Sequence, residues 1–497
     1  MIWSVDHPED LELVRAIYAR LGNNGRPFGW KKVLDLVRKE PDFFRGNPGG
    51  IVNEGYYLSL TKDAPVPARS YALRKSESLK ERALVRVPGC SQTFSKGPTQ
   101  FVQGVAPNFL VRGKGSRVWD ADGNEFLDFG MALGAALLGY ADPDVDAAVS
   151  RQMADGAVFS LPHPLEVEVA ELLAERIPCA EMVRFGKNGS DATAGAVRLA
   201  RACTGREIIA SCGYHGWQDW SIGVTSRNKG VPEAVRKQTV PFVYNDLESL
   251  DKIFADHPGR VAAVILEPVG VEIPREGFLR QVQELARRQG ALLIFDEVLT
   301  GFRMASGGAQ EYFGVVPDLA CFGKSLANGL PLSAVVGRRD LLRQFEEVFF
   351  SFTFGGEALS LAAAKATLKK IREAAVVPHL WNQGKKLQDG YNVLARHYGL
   401  EKMTSCVGYA PRTVIRFYGS PAGDSLVLQS LFQQECLKRG LLFTGSQNVS
   451  FAHGEPEVDS ALHVYRSALE VLAGAIREGK VTERLEGEPL QPVLRSS

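Results

Sequence analysis

Between about residues 180 and 340 the chain repeats one pattern, which limits the fold more than any other feature of its 497 residues. A short run rich in Val, Ile and Phe is followed by a polar turn and then by apolar residues at helical spacing. VRFGKNGSDATAGAVRLARACTG shows the whole unit: a strand at 182–185, a tight turn, a helix with Ala196, Leu199 and Ala200 on one face, and Gly205 as its stop. EIIAS, VAAVILEPV, ALLIFDEV and LSAVVG supply further buried strands. Strands alternating with helices predict an α/β fold with a largely parallel sheet.

The ends of the chain read differently. DLELVRAIYARL and WKKVLDLVRKEPDFF predict a helical appendage over 1–75, and Pro65, Pro67, Pro88, Gly89 and Pro98 predict a linker, placed at 76–99. The expected division continues with the first part of a small domain at 100–150, a large domain at 151–375, and the rest of the small domain at 376–497. In that last stretch amphipathic helices such as LVLQSLFQQECLKRG mix with short strands such as TVIRF, an α+β pattern.

Composition excludes several classes of function. A chain that is 45% hydrophobic and 23% charged is an ordinary globular one, and a net charge of +1 gives no general pull toward nucleic acid. The N-terminus carries acids early and does not read as a secretory signal. Apolar runs such as ALLIF fall far short of the roughly 20 residues that span a bilayer, so a cytoplasmic protein without membrane partners is expected. Seven scattered cysteines and eight dispersed histidines show no zinc or redox spacing, and no metal site is expected.

Three strand ends carry chemistry where open α/β sheets bind ligands. The turn Lys187-Asn188-Gly189-Ser190-Asp191 opens a helix; it is either a generic capped start or a phosphate cradle. Asp296 follows five apolar residues and is either salt-bridged or functional. Lys324 stands among apolar and glycine residues, where it either snorkels to solvent or loses hydration and becomes a nucleophilic neutral amine. Cradle, carboxylate and amine together describe a pyridoxal 5′-phosphate site.

These segments, with GYHGWQDW, LEPV, FDEVLTGFRMASGGAQEYFGVVPDLACFGKSLANGLPLSAVVGRR and TFGGEALSLAAA, make residues 100–480 resemble class III, ornithine-type, pyridoxal-phosphate aminotransferases, in their glutamate-1-semialdehyde aminomutase branch. The resemblance implies a fold type I enzyme. It places the cofactor on Lys324, which would also shuttle protons, with Asp296 against the ring nitrogen. Val298, two residues on and therefore expected on the same side of a strand, would touch one ring face and Tyr214 the other. Gly189 and Ser190 would hold the phosphate. Thr353 resembles a threonine that reaches the phosphate of a neighbouring subunit, which implies a homodimer with shared sites. Glu267 is the family's glutamate or a plain strand-end carboxylate, and His215 is a catalytic group or a loop partner. Arg303 binds a carboxylate or, the preferred reading, braces its turn.

The substrate side departs from that branch. Gln100 stands where the mutases carry an arginine for the substrate carboxylate, Leu133 lies near a tryptophan position, and GSQNV before Ser450 lacks a nearby glutamate. A glutamine cannot supply a charged fork. The expectation is therefore a ping-pong transaminase, moving an amino group from a small-molecule donor such as glutamate to a ketone or aldehyde. The alternative is glutamate-1-semialdehyde 2,1-aminomutase itself, and a third reading is a non-catalytic sugar-binding or scaffolding protein. The first segment also resembles the C-terminal tail of acidic-sugar cytidylyltransferases, which suggests a surface-sugar pathway.

Overall fold

The computed structural model describes residues 8–22, 28–40, 51, 53–419 and 424–491, and among these described residues fourteen strands are assigned. The portions of the expected appendage at 1–7, 23–27, 41–50 and 52 lie outside the described residues. Three short strands come first, β1 (Leu110–Lys114), β2 (Arg117–Asp120) and β3 (Glu125–Asp128). Seven more form the large sheet: β4 (Met182–Gly186), β5 (Ile208–Cys212), β6 (Thr239–Pro241), β7 (Val261–Leu266), β8 (Leu292–Asp296), β9 (Leu319–Phe322) and β10 (Ser333–Gly337). Their spatial order is β4-β10-β9-β8-β7-β5-β6, and only β10 runs against its two neighbours. The architecture is the α/β, fold type I arrangement that the sequence implies.

Every residue of β7 is buried, as in a strand covered on both faces. Along β8 and β9 the side chains alternate: Leu293, Phe295, Ala320 and Phe322 enter one apolar cluster, Ile294, Leu319 and Cys321 the other. The helix Gly189–Thr204 covers the second face with Ala192, Ala196, Leu199 and Ala200, and the helix Phe278–Arg288 covers the first with Leu279, Val282 and Leu285. Cys212 lies opposite Leu266, Leu266 opposite Phe295, and Asp296 opposite Cys321. This register levels four carboxyl ends, so the residues just past β5, β7, β8 and β9 converge at one edge.

The remaining strands are β11 (Thr404–Tyr409), β12 (Arg412–Phe417), β13 (Leu441–Leu442) and β14 (Ser446–Asn448). β13 joins β3 in parallel, while β11, β12 and β14 form a separate antiparallel sheet. Helices Val376–His397, Ser425–Leu437 and Glu455–Glu478 enclose a third cluster around Leu387, Phe432 and Leu469.

Two segments differ from the reading as appendage and linker. Tyr57 and Leu60 are buried in that third cluster, and the Tyr56 hydroxyl bonds Asp459 at 2.9 Å. Residues Arg74–Arg86 form a helix whose first amides, Lys75 and Ser76, donate to the Asp122 carboxylate at 2.8 and 2.9 Å. RKSESLKERALVR has too few apolar residues to announce an amphipathic helix, and its cap comes from a residue far along the chain. Among the described residues no helix is long and apolar enough to cross a membrane, and no cluster of metal-ligating side chains occurs.

Candidate active site

The turn after β4 is shaped by its neighbours' lack of side chains. Asp191 accepts from the amides of Asn188 at 2.7 Å and Lys187 at 3.2 Å, which fixes the start of the helix Gly189–Thr204. The first amides of a helix have no partner within it, so Gly189 and Ser190 present N–H groups at its positive end. A Cβ on Gly189 would lie 2.7 Å from Val298 Cγ1, and one on Gly216, where φ is +111°, would lie 2.2 Å from Ser190 Oγ. Glycine at both positions lets two loops close on the turn. Free amides at a helix start are the donors that an anion such as phosphate accepts from.

Asp296 ends β8 and is buried. Its Oδ1 accepts from Val298 N at 3.1 Å, and its Oδ2 lies 2.7 Å from His215 Nδ1. His215 Nε2 lies 3.1 Å from the carbonyl oxygen of Cys212, so that nitrogen must donate. The second ring nitrogen also faces an acceptor, and the contact with Asp296 therefore needs a shared proton. His215, stacked on Trp220, acts as the partner of Asp296 and does not line the cavity. Val298 lies beyond the end of β8, so the strand-alternation reason for its position does not apply; its side chain approaches Gly189 and Gly323.

Glu297, next to Asp296, solves burial differently. Its carboxylate accepts from Thr300 Oγ1 at 3.0 Å, from Ala309 N at 2.5 Å, and from Gln310 N and Nε2, both at 3.1 Å. It holds the following loop and points away from the chemistry.

Lys324 comes after β9 at φ +43°, a left-handed conformation costing roughly 1–2 kcal/mol for a residue with a Cβ. Desolvation pushes its amine below the ordinary lysine range, while Glu267 and Asp296 pull the other way. Glu267, just past β7, is pushed above the usual carboxylate range, first by desolvation and then by Asp296; His215, Arg412 and Lys324 oppose this. Tyr214, 56% exposed, lies just past β5 and has its hydroxyl raised by burial and then by Asp296.

Lys324 and Tyr214 open into one cavity of about 630 Å³, whose wall includes Gln100, Leu133, Arg227 and Arg412. Sequence reading missed Arg412, which opens β12 just ahead of the run TVIRF. Its Nη1 donates to Gly270 O at 2.9 Å, and its Nε is buried without a partner among the described residues. Desolvation lowers its pKa and Glu267 opposes that shift.

Arg303 is a brace. It is buried and donates to the carbonyls of Val449 at 2.7 Å, Gly134 at 2.9 Å and Pro411 at 3.3 Å. Burial, and next Arg412, push it down to about 9. Gln100 Nε2 donates to Gln491 O at 2.8 Å. Leu133 stands in a run of three left-handed residues, Met131, Ala132 and Leu133, at φ +45°, +52° and +60°. Asn448 Nδ2 on Gly130 O and Ser325 Oγ on Gly134 O clamp this turn, the second bond coming from the residue after Lys324. Thr353 is exposed on the 350–357 loop and is not on the cavity wall of its own chain.

The sequence profile of the class-III aminotransferases matches residues 101–406. The glutamate-1-semialdehyde 2,1-aminomutase of Aquifex aeolicus is 36% identical over 80% of this chain and all of its own length. That of Thermomicrobium roseum is 39% identical over 74% of this chain and 92% of its own. Among solved structures, the FumI protein of Sphingopyxis sp. MTA144 in its PLP internal aldimine form has a TM-score of 0.77 at 30% identity, covering 84% of this chain and 99% of that one.

Proposed function

Because this chain belongs to the class-III aminotransferase family and is an enzyme with pyridoxal 5′-phosphate as its cofactor, we propose that it moves an amino group on a small carboxylate-bearing substrate, as glutamate-1-semialdehyde 2,1-aminomutase does. The reading rests on one observation: a single cavity joins the desolvated amine of Lys324 to two arginines. Membership of an enzyme family sets aside the non-catalytic reading. The named relatives favour the mutase over the intermolecular transaminase that the pocket residues suggested.

The cofactor, when bound, supplies an electrophilic carbon for amines and a ring that accepts an electron pair. Gly189 and Ser190 would hold its phosphate, Asp296 its ring nitrogen, and Tyr214 and Val298 its faces. Asp296, held by His215, would be the carboxylate that faces a protonated ring nitrogen. Lys324, its amine lowered from the ordinary lysine range, would take a proton from the substrate carbon onto Nζ and hold it for return. Arg412 meets a carboxylate that enters beside it, with Glu267 balancing its charge when none is present.

Thr353 and the neighbouring Phe352 and Phe354 are exposed, and Phe352 shares a cavity of about 540 Å³ with Val167, itself 61% exposed. An apolar surface of this kind supports the homodimer with shared sites. Light scattering of the holoenzyme should give twice the chain mass.

The intermolecular transaminase stands as a second reading, on Gln100 and Leu133 in the cavity wall. Incubation with glutamate-1-semialdehyde separates the two. The mutase forms 5-aminolevulinate with no added donor or acceptor; a transaminase forms none until an amino donor and a carbonyl acceptor are supplied together.

A further inference from the structure

We propose that Lys187, through its ion pair with Glu357, positions the 350–357 loop for the cofactor phosphate of the neighbouring subunit and does not hold the phosphate of its own. The proposal rests on the shared-site homodimer proposed above and adds the residue that sets its geometry. A lysine just before a helix-opening phosphate turn would ordinarily be assigned to that phosphate. The Lys187 amine instead donates to Glu357 Oε2 at 2.9 Å, with both side chains only 14% exposed. Glu357 in turn caps the helix Ala358–Glu373: Leu359 N donates to it at 2.7 Å, Ser360 N at 3.2 Å and Ser360 Oγ at 2.6 Å. An ion pair at this depth keeps one geometry when further hydrogen bonds hold its partners, and here they do.

The other end of the loop is fixed to the same unit of strand, turn and helix. Arg184, on β4, donates to Phe350 O at 3.0 Å, and Arg198, on the helix Gly189–Thr204, donates to Phe349 O at 2.7 Å. The Phe350 ring lies against Gly195 of that helix. Between the two grips Phe352, Thr353 and Phe354 are exposed. Gly355 and Gly356 put little steric restraint on the backbone after them, so the place of Thr353 depends on what fixes residue 357. Ala358 N on Ala157 O, at 2.8 Å, holds the helix start, and the ion pair ties it to the phosphate turn. In a two-fold dimer each loop serves the other site, so a side chain that sets the loop of one subunit acts across the interface. The group it serves there is a phosphate monoester, which accepts from a threonine hydroxyl.

Mixed dimers test the direction of this effect. Two full-length chains with different affinity tags are co-expressed and purified through both tags. One carries Lys324→Ala, so cofactor is bound covalently at one site alone and its absorbance reports that site. Lys187→Met, which keeps the length and removes the charge, is placed first on the Lys324→Ala chain, whose loop serves the reporting site. The dissociation constant for pyridoxal 5′-phosphate should then rise about tenfold. With Lys187→Met on the reporting chain the constant should stay within about twofold of that of the mixed dimer lacking it. Lys187→Arg on the Lys324→Ala chain keeps the cation and should bring the constant back to within about threefold. A rise confined to Lys187→Met on the reporting chain, equal rises in both arrangements, or no rise in either overturns the proposal. If the Lys187→Met chain does not assemble, Glu357→Gln on the Lys324→Ala chain takes its place, and an unchanged constant overturns the proposal. Thr353→Ala in the same two arrangements checks the dimer reading separately. No loss from the Lys324→Ala chain removes the shared sites and the role of Lys187 with them, whereas a loss there beside an indifferent Lys187→Met removes the role of Lys187 alone.

Discussion

Lys324 and Leu133 reach the same cavity, and both hold left-handed backbone, at φ +43° and +60°, yet their supports are of different kinds. Lys324 comes just after β9, which is paired on one side with β8 and on the other with β10. Asp296 and Glu267 leave the neighbouring strands at the same level, so backbone hydrogen bonds set the spacing of the cofactor side. Leu133 sits in an irregular turn between β3 and the next helix, clamped by side chains from residues 303, 325 and 448. Gln100, Arg227 and Arg412 arrive from three further segments. A ladder of strand ends tolerates little change without losing register, whereas a wall of loops can exchange one residue for another and keep its shape.

Substitutions on the two sides should separate accordingly. Lys324→Ala should have the largest effect, a fall in turnover of about 10⁴-fold measured in single-turnover experiments, because both the attacking amine and the proton carrier are lost. Retained turnover would break the assignment of the cofactor side. Asp296→Asn should lower kcat by roughly 10²- to 10³-fold, because a preorganised negative charge disappears while the amide still contacts His215. Arg412→Gln belongs to the other side and should raise KM for carboxylate substrates about 30-fold, with a smaller change in kcat.

A pH experiment tests the stability of the substrate wall. His453 is fully buried, accepts from Ser450 N at 2.9 Å, donates to Asp128 O at 3.0 Å, and stacks on Phe129 at 3.9 Å, just before the left-handed turn. Burial pushes its imidazole from 6.5 down to about 3. Between those values the unfolded chain binds a proton that the folded chain does not, so stability falls as pH drops from 6.5 toward 3. The slope is about 1.4 kcal/mol per pH unit, or about 2 kcal/mol by pH 5. Urea midpoints at pH 5, 6 and 7 measure it, and His453→Asn should flatten the slope. The smallest expected effect is that of Gln100→Arg: at this partly exposed position a new charge should lower KM for glutamate-1-semialdehyde by only about threefold.

Much of this edge of the sheet was legible in the sequence because its residues are local. A carboxylate after an apolar run, a lysine among glycines and a helix-opening turn each show their character within a few neighbours, and the parallel sheet brings the three to one edge. Val298 was placed by extending β8 past its real end. The helix at Arg74–Arg86 was hidden by its charge and by a cap from Asp122. Arg412 and Arg227 read as ordinary arginines. Their importance comes from sharing a wall with residues one to three hundred positions away, and no spacing rule covers that separation.

The order of polar and apolar residues determined the α/β class and the strands, because strand formation and burial depend on patterns a few residues long. Tertiary structure alone decided that Arg303 braces three backbone carbonyls, that His215 is bound to Asp296, and that two arginines share a cavity with the lysine. Each of those roles is an electrostatic relation across space, and it exists only once distant segments have been brought out of water and against one another.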